Sequence, residues 1–313
     1  MIKKCPGCGS VIQYKNKNEV GYSPKENAKY CERCFKLKNY NQKEVVNLKY
    51  NNSDILNIIN KKAHNVFFVT DFLNLSQKVI DLFNQIKVKN KYLLINKTDL
   101  IPNSINKDKY LNWIKDTYKI NEKIILLSAI KKHNIRELNN LIENNKKNYI
   151  CGVTNSGKSS IINELSAINN KSEKILTSLM PNTTLDEIKI NLNETTSIYD
   201  TPGFIIDDYF DENLHPKKFL KPVTLQIKND DTVSVNEKIY IKNLTSTNSF
   251  TFYMSNEITI KKVYDIKVQN NDSMYIQKDS DIVIFGYGFI NIKEECEIIL
   301  SGINDFEIRK SMF

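Results

Sequence analysis

Gly152-Val153-Thr154-Asn155-Ser156-Gly157-Lys158-Ser159 fits the pattern G-x-x-x-x-G-K-[ST], and few short strings restrict a fold as tightly. The pattern works only where a strand delivers the chain into a loop and a helix carries it away. The loop backbone then wraps phosphate oxygens with N–H groups at a helix N-terminus. The flanks meet that demand, since Tyr149-Ile150-Cys151 precedes the loop and the helix-like Ser160 to Leu165 follows it. In this setting Lys158 reaches the β and γ oxygens, the Ser159 hydroxyl ligates Mg²⁺, and Gly152, Asn155, Ser156, Gly157 and Ser160 complete the phosphate cradle.

A second phosphate-side motif lies downstream. Asp200-Thr201-Pro202-Gly203 ends the apolar run Ser197 to Tyr199, which puts the Asp200 carboxylate at a strand tip as a Mg²⁺ partner and leaves the Gly203 N–H to sense the γ-phosphate. Between the two motifs, Pro181-Asn182-Thr183-Thr184 offers Thr184 as a switch threonine that binds Mg²⁺ in the triphosphate state, with Thr183 as the neighbouring alternative. Lys158, Thr184, Asp200 and Gly203 are thus the expected catalytic set. Phe204 stands where many G proteins place a water-orienting glutamine, and its ring has no group for that task. Hydrolysis must then rest on electrostatic stabilisation, and slow intrinsic turnover is expected.

The base-reading motifs come earlier in the chain than the phosphate loop. Asn96-Lys97-Thr98-Asp99 follows Tyr92 to Ile95, and Ser128-Ala129 follows Ile124 to Leu127, both at strand ends. A carboxylate accepts from guanine N1–H and the N2 amino group, and adenine offers neither donor, so Asp99 selects guanine. Asn96 and the Ala129 N–H address the other edge of the base, and Lys97 packs over the nucleotide. Ordinary G proteins run phosphate motif first and base motifs last. This chain reverses the blocks, so its GTP site is circularly permuted, and a helix-like linker from Ile135 to Lys147 closes the gap.

Three regions differ in pattern. Residues 1–50 are polar, and two C-x-x-C pairs, Cys5/Cys8 and Cys31/Cys34, supply four thiolates for a closed structural Zn²⁺ site that holds a segment lacking its own core. A thioredoxin-like role is the rival reading, but neither pair has a strand–helix setting. Residues 51–214 alternate short apolar runs with helical stretches, the mark of a mainly parallel α/β sheet. Residues 215–313 turn to strand-length alternation and predict an all-β domain, with Gly286 and Gly288 marking a bulge or close backbone approach within one run, Asp281 to Ile292. Cys151 and Cys296 are expected to be buried inert thiols. His64, His133 and His215 form no nucleophile–base set, and Trp113 is expected to pack on a helix face.

The net charge is +9. Lys and Asn are abundant throughout, as translation of an A/T-rich genome also produces, so distribution says more than the total. Residues 1–50 hold eleven Lys and Arg against four Asp and Glu, residues 51–214 hold 21 against 19, and residues 215–313 hold 13 against 13. Even with −2 from four thiolates on zinc, the first module stays the most basic, and it is the first suspect for RNA contact. No signal-peptide-like run or membrane-length apolar stretch occurs, which predicts a soluble, cytoplasmic protein without membrane attachment.

The cysteine module, the permuted motifs and the β tail together resemble the YqeH family of circularly permuted bacterial GTPases. Local strings carry the likeness, among them Cys31 to Asn41, Val69-Thr70-Asp71-Phe72, Leu220-Lys221-Pro222 and Ile308-Arg309-Lys310-Ser311-Met312. The resemblance implies a GTPase acting in assembly of the small (30S) ribosomal subunit, binding rRNA or a precursor particle. It also implies a possible K⁺ site, because related GTPases with asparagine at the Asn155 position bind K⁺ there; an asparagine that only stabilises the loop is the alternative. Where the family has Pro-Gly-Thr-Thr this chain has Asn182, which can adopt the left-handed conformations of glycine. A nucleotide-gated scaffold for protein partners is the competing function. An RNA-modifying enzyme would need a further catalytic constellation, and the sequence displays none.

Overall fold

The computed structural model describes residues 3–17, 19–40, 51–102, 105–169, 187–206, 221–264, 272–303 and 305–312, with side chains left out at 37–40. In chain order the first elements are α1 (Glu32–Tyr40), α2 (Asn52–Lys62), β1 (Asn65–Asp71), α3 (Gln77–Asn84), β2 (Asn90–Asn96), α4 (Lys107–Tyr118), β3 (Ile124–Leu126), α5 (Ile135–Leu141), β4 (Lys147–Gly152), α6 (Lys158–Ile168), β5 (Ile188–Asn191) and β6 (Ser197–Asp200). Ten strands follow: β7 (Val223–Ile227), β8 (Thr232–Val235), β9 (Ile239–Asn243), β10 (Asn248–Met254), β11 (Ile260–Val263), β12 (Met274–Ile276), β13 (Ser280–Ile284), β14 (Gly288–Ile292), β15 (Cys296–Ser301) and β16 (Glu307–Lys310).

The chain forms two compact units. One comprises Met1–Asp71, Asp81–Thr98 and Glu122–Ile205, the other Phe72–Ile80, Asp99–Asn121 and Ile206–Phe313. The first holds a six-stranded sheet in the order β3-β2-β1-β4-β6-β5, parallel except for β5, which runs antiparallel to β6. β1 is buried along its whole length, as a central parallel strand covered on both faces must be, and its Val66-Phe67-Phe68-Val69 run is apolar without alternation. Phe67, Val69, Leu94 and Ile150 pack with Ile135 and Leu138 of α5 and with Ile161, Ile162 and Leu165 of α6. Phe68 meets Phe83 and Phe204, with ring centroids 5.7 and 5.8 Å apart. Burying each such ring contributes about 1.5–3 kcal/mol.

Strand succession sets the site. From β1 the chain steps outward to β2 and β3, whereas from β4 it steps the other way to β6, so the order reverses between β1 and β4. Ligands of open parallel sheets bind beyond the carboxyl ends of strands at such a reversal. Asp71, Asn96, Gly152 and Asp200 all end strands there. At the opposite end, Asn65 of β1 accepts from Asn90 of β2 at 3.1 Å and donates to Asn148 of β4 at 2.9 Å, a polar row that holds the register of three strands.

The second unit carries two antiparallel five-stranded sheets, β16-β13-β14-β10-β7 and β11-β8-β9-β15-β12. Phe250, Phe252, Ile282 and Ile290 of the first share one core with Val233, Ile241, Ile298 and Leu300 of the second. The run from Asp281 to Ile292, read above as one strand, is a hairpin of β13 and β14. Gly286 sits in the turn at φ 78°, and Gly288 at φ 126° allows the close approach of β10: a Cβ there would lie 2.1 Å from the Tyr253 carbonyl oxygen. Two of this unit's segments, Phe72–Ile80 and Asp99–Asn121, come from within the α/β part of the sequence.

Candidate functional site

β4 delivers the chain into the phosphate loop. Gly152 leaves the strand at φ 141°, where a Cβ would lie 2.0 Å from the Val69 carbonyl oxygen, so only glycine lets β4 turn beside β1. Asn155 at φ 59° and Gly157 at φ 91° are left-handed, with Ser156 between them outside that region, an alternation of the kind that shapes anion-binding backbone concavities. Gly157 is the N-cap of α6. Ser156 closes the loop by donating its hydroxyl to Val153 O at 2.7 Å.

Lys158 lies buried in the cradle, its ammonium donating to Gly152 O and Val153 O at 3.2 and 3.3 Å. Burial pushes its pKa below the ordinary lysine range, and the nearby Asp200 carboxylate offsets part of that shift. Asp200 is fully buried at the end of β6, and Ser159 and Ser160 stand half-buried in the first turn of α6. The chain after Asp200 lies along the loop: Phe204 N–H donates to Gly152 O and Thr154 N–H donates to Phe204 O, each at 3.0 Å. A Cβ on Gly203 would come 2.8 Å from Thr154 Cγ2 and 3.0 Å from Lys158 Nζ, so a side chain there would press on both. The Phe204 ring itself is fully buried against Phe68. The Lys158 ammonium, the Ser159 hydroxyl and the Asp200 carboxylate are a set of groups that suits a Mg²⁺–nucleotide.

The base loops are knit to the phosphate loop by one side chain. Asn96 donates Nδ2 to Ser156 O at 2.8 Å and accepts from Ala129 N–H at 3.2 Å, so it braces three segments. Lys97, at φ 59°, pairs its ammonium with the fully buried Asp71 carboxylate at 2.8 Å. Thr98 donates both N–H and Oγ1 to Leu127 O, fastening this loop to the one that carries Ser128. Ser128 Oγ accepts from Lys131 N–H at 3.1 Å. Asp99 lies in a 3-10 turn, Thr98–Leu100. Thr184, its alternative Thr183 and Asn182 lie outside the described residues, as does His215. Asp71 and Thr98 were not singled out from sequence as site residues; the signal for Asp71 is an acid ending an apolar strand, as Asp200 does.

Cys5, Cys8, Cys31 and Cys34 are buried, and their sulfurs all lie within 4.8 Å of one another. The Cys8 and Cys31 sulfurs are 3.8 Å apart, matching the edge of about 3.8 Å expected for a tetrahedron with Zn–S bonds of about 2.3 Å. Cys31 N–H points at the Cys5 sulfur at 3.4 Å, a bond that favours thiolate. The four residues fit a closed zinc site.

The family model for RsgA GTPase matches residues 42–209. The uncharacterized protein YqeH of Bacillus subtilis is 34% identical over 297 residues, covering 87% of this chain and 80% of its own. A tRNA modification GTPase MnmE of Prochlorococcus marinus is 39% identical over 98 residues, 31% of this chain and 18% of its own length. Among solved structures, YjeQ from Thermotoga maritima is similar at 24% identity and a TM-score of 0.35 over 45% of this chain and 48% of its own. Among the described residues no helix is long and apolar enough to cross a membrane. The permuted order of strands and motifs, the matched family model and the long match to YqeH agree: this chain is a GTPase that belongs to the RsgA GTPase family and to the YqeH group of circularly permuted GTPases.

Proposed function

We propose that this protein is a cytoplasmic GTP-driven switch in assembly of the small (30S) ribosomal subunit, acting through contact with rRNA or a precursor particle. The observation that carries this reading is the long similarity to YqeH, because the resemblance to that group implies a role in small-subunit assembly. The charge distribution supports an RNA partner, because the cysteine module is the most basic part of the chain. One observation favours the second reading, a protein-binding scaffold: residues 215–313 carry no net charge.

In the nucleotide site, Asp99 reads guanine, Lys97 packs over the nucleotide, and Asn96 holds the base loops against the phosphate loop. Lys158 takes its ammonium from Gly152 O and Val153 O to the phosphate oxygens, whose charge raises its depressed pKa. Asp200, Ser159 and Thr184 would hold Mg²⁺, which would supply charge neutralisation for phosphoryl transfer. Gly203 presents its N–H to the γ-phosphate. Phe204, committed to the core, orients no water, and the resemblance to related GTPases supports Asn155 as a residue that would hold a supporting K⁺.

Co-sedimentation of the purified protein with 30S subunits, with a non-hydrolysable GTP analogue and with GDP across a salt series, tests the proposal. Binding that is stronger with the analogue and weakens with salt is the expected result. Absence of binding in both nucleotide states sinks the ribosomal reading and leaves the scaffold.

A further inference from the structure

Tyr14 stands 50% exposed on a turn of the cysteine module, between Gln13 and Glu19. Among the described residues its ring meets no other ring and its hydroxyl makes no hydrogen bond. The turn itself is held by the Gln13 side chain. Gln13 Oε1 accepts from the N–H groups of Lys15 and Asn16, both at 2.9 Å, and Nε2 donates to Asn16 O at 2.7 Å and to Glu19 O at 3.4 Å. Gln13 is anchored in turn. Its N–H donates to Gly21 O at 2.9 Å, its carbonyl accepts from Ser23 N–H at 2.8 Å, and Glu32 N–H, next to Cys31, donates to Tyr22 O at 2.7 Å. The turn is therefore rooted in the segments that carry the metal ligands, and a preset backbone presents the ring.

Positive charge and apolar surface lie together around it. Lys15 and Lys17 are exposed and form no ion pair among the described residues, and the carboxylate of Glu19 accepts from Asn16 Nδ2 at 2.9 Å. The chain at Val20 and Gly21 passes against Val11, since a Cβ on Gly21 would lie 1.9 Å from the Val11 carbonyl oxygen. Val11 and Val20 are 44% and 39% exposed. Lys4, also exposed, pairs with Val11 across an antiparallel bridge. A flat ring flanked by unpaired ammonium groups matches a nucleotide, whose base has a π-face that stacks on an aromatic side chain and whose phosphates the cations neutralise. In an A-form duplex the bases stack on one another, so only an unpaired base can cover the ring. An acidic peptide would answer the lysines alone.

We propose that Tyr14 is a stacking platform for an unpaired RNA base, with Lys15 and Lys17 taking the adjacent phosphates, so that the cysteine module binds single-stranded rather than duplex RNA. This rests on the RNA reading given above, and adds to it the form of RNA and the side chain that meets the base.

The test compares dissociation constants of the full-length, zinc-loaded protein for a short labelled RNA strand of mixed sequence and for the same strand paired in a duplex, across a salt series. The single strand should bind more tightly. Tyr14→Ala should weaken that binding by about tenfold or more and leave the duplex unchanged. The slope of log affinity against log salt should stay as it was, because the lost contact carries no charge. Tyr14→Phe should keep the affinity, whereas Tyr14→Leu, apolar but without a π-face, should behave as Tyr14→Ala does. Full affinity in Tyr14→Ala, equal weakening of both RNA forms, or Tyr14→Leu binding as well as Tyr14→Phe overturns the stacking role and leaves a basic module that takes RNA by charge alone. Weaker co-sedimentation of Tyr14→Ala with 30S subunits, while both RNA forms bind as before, overturns it in favour of a protein against the ring. Absence of binding to either RNA form by the unaltered protein overturns the RNA reading and this inference with it.

Discussion

Asn155 holds a left-handed backbone at φ 59°, in the middle of the phosphate loop. Asparagine tolerates that conformation better than most residues, so geometry alone accounts for its presence. The burial of Phe204 spends the usual place for a water-orienting side chain on the core, which supports the proposal that Asn155 also helps to hold K⁺. GTP turnover should therefore be faster in KCl than in NaCl at equal ionic strength by about tenfold, in line with the worth of one electrostatic stabiliser. Asn155→Ala should erase the difference while GDP affinity stays within about threefold, since the proposed phosphate contacts come from backbone and Lys158. Equal rates in the two salts would remove K⁺ from the reading. The phosphate loop and the two base motifs were legible because each is a run of fixed residue types at a strand end. Asp71 and Thr98 were not, because an ion pair with Lys97 and a bond to Leu127 O depend on which strands lie side by side.

The elements of the α/β part follow from the sequence because apolar runs and helical periods alternate there at nearly regular spacing; β1, β2, β4 and α6 fall on the runs read as strands and helix. The second unit was harder. β13 and β14 merge into one apolar run because Phe285 and Tyr287 in the turn are as buried as the strands, so the hairpin is punctuated only by Gly286 and Gly288. β7 and β16 are exposed at alternate or most positions, which weakens their pattern. The four-cysteine module was legible from spacing alone, and a segment held by such a cluster should depend on its ion for stability. Titration with a thiol reagent should separate the cysteines into classes. The zinc-loaded protein should resist reaction at all six thiols, and chelation should release Cys5, Cys8, Cys31 and Cys34 together as their module unfolds. Cys151 and Cys296 should react only on global unfolding, because both are buried and burial raises their thiol pKa, to about 11 for Cys296. At neutral pH thiols so shifted carry almost no thiolate, the reactive form. Gradual release of single thiols on chelation would contradict a shared ion.

Across the whole molecule, permutation changes which parts of a GTPase are neighbours in the chain. The segment after Gly203 runs into the C-terminal strands, and the structure adds that Phe72–Ile80 and Asp99–Asn121 belong to the same unit as those strands. The chain therefore passes between the two units at more than one point. The basic module is the remaining surface, and charge decides what it meets. Residues 1–50 carry a net +7, or +5 once four thiolates bind zinc, while the rest of the chain is close to neutral. Lys15 and Lys17 are exposed on the loop that Gln13 shapes by accepting from the N–H groups of Lys15 and Asn16, both at 2.9 Å, so they can be changed without touching the metal site. If they meet phosphates, Lys15→Glu with Lys17→Glu should weaken binding to 30S subunits and make the slope of log affinity against log salt shallower by about 1.5, near 0.7–0.9 for each phosphate that a lysine no longer neutralises. GTP turnover without subunits should not change. An unaltered slope with full affinity would show that these lysines contribute nothing to the binding and would transfer the search for the ribosome-facing surface to the neutral C-terminal strands.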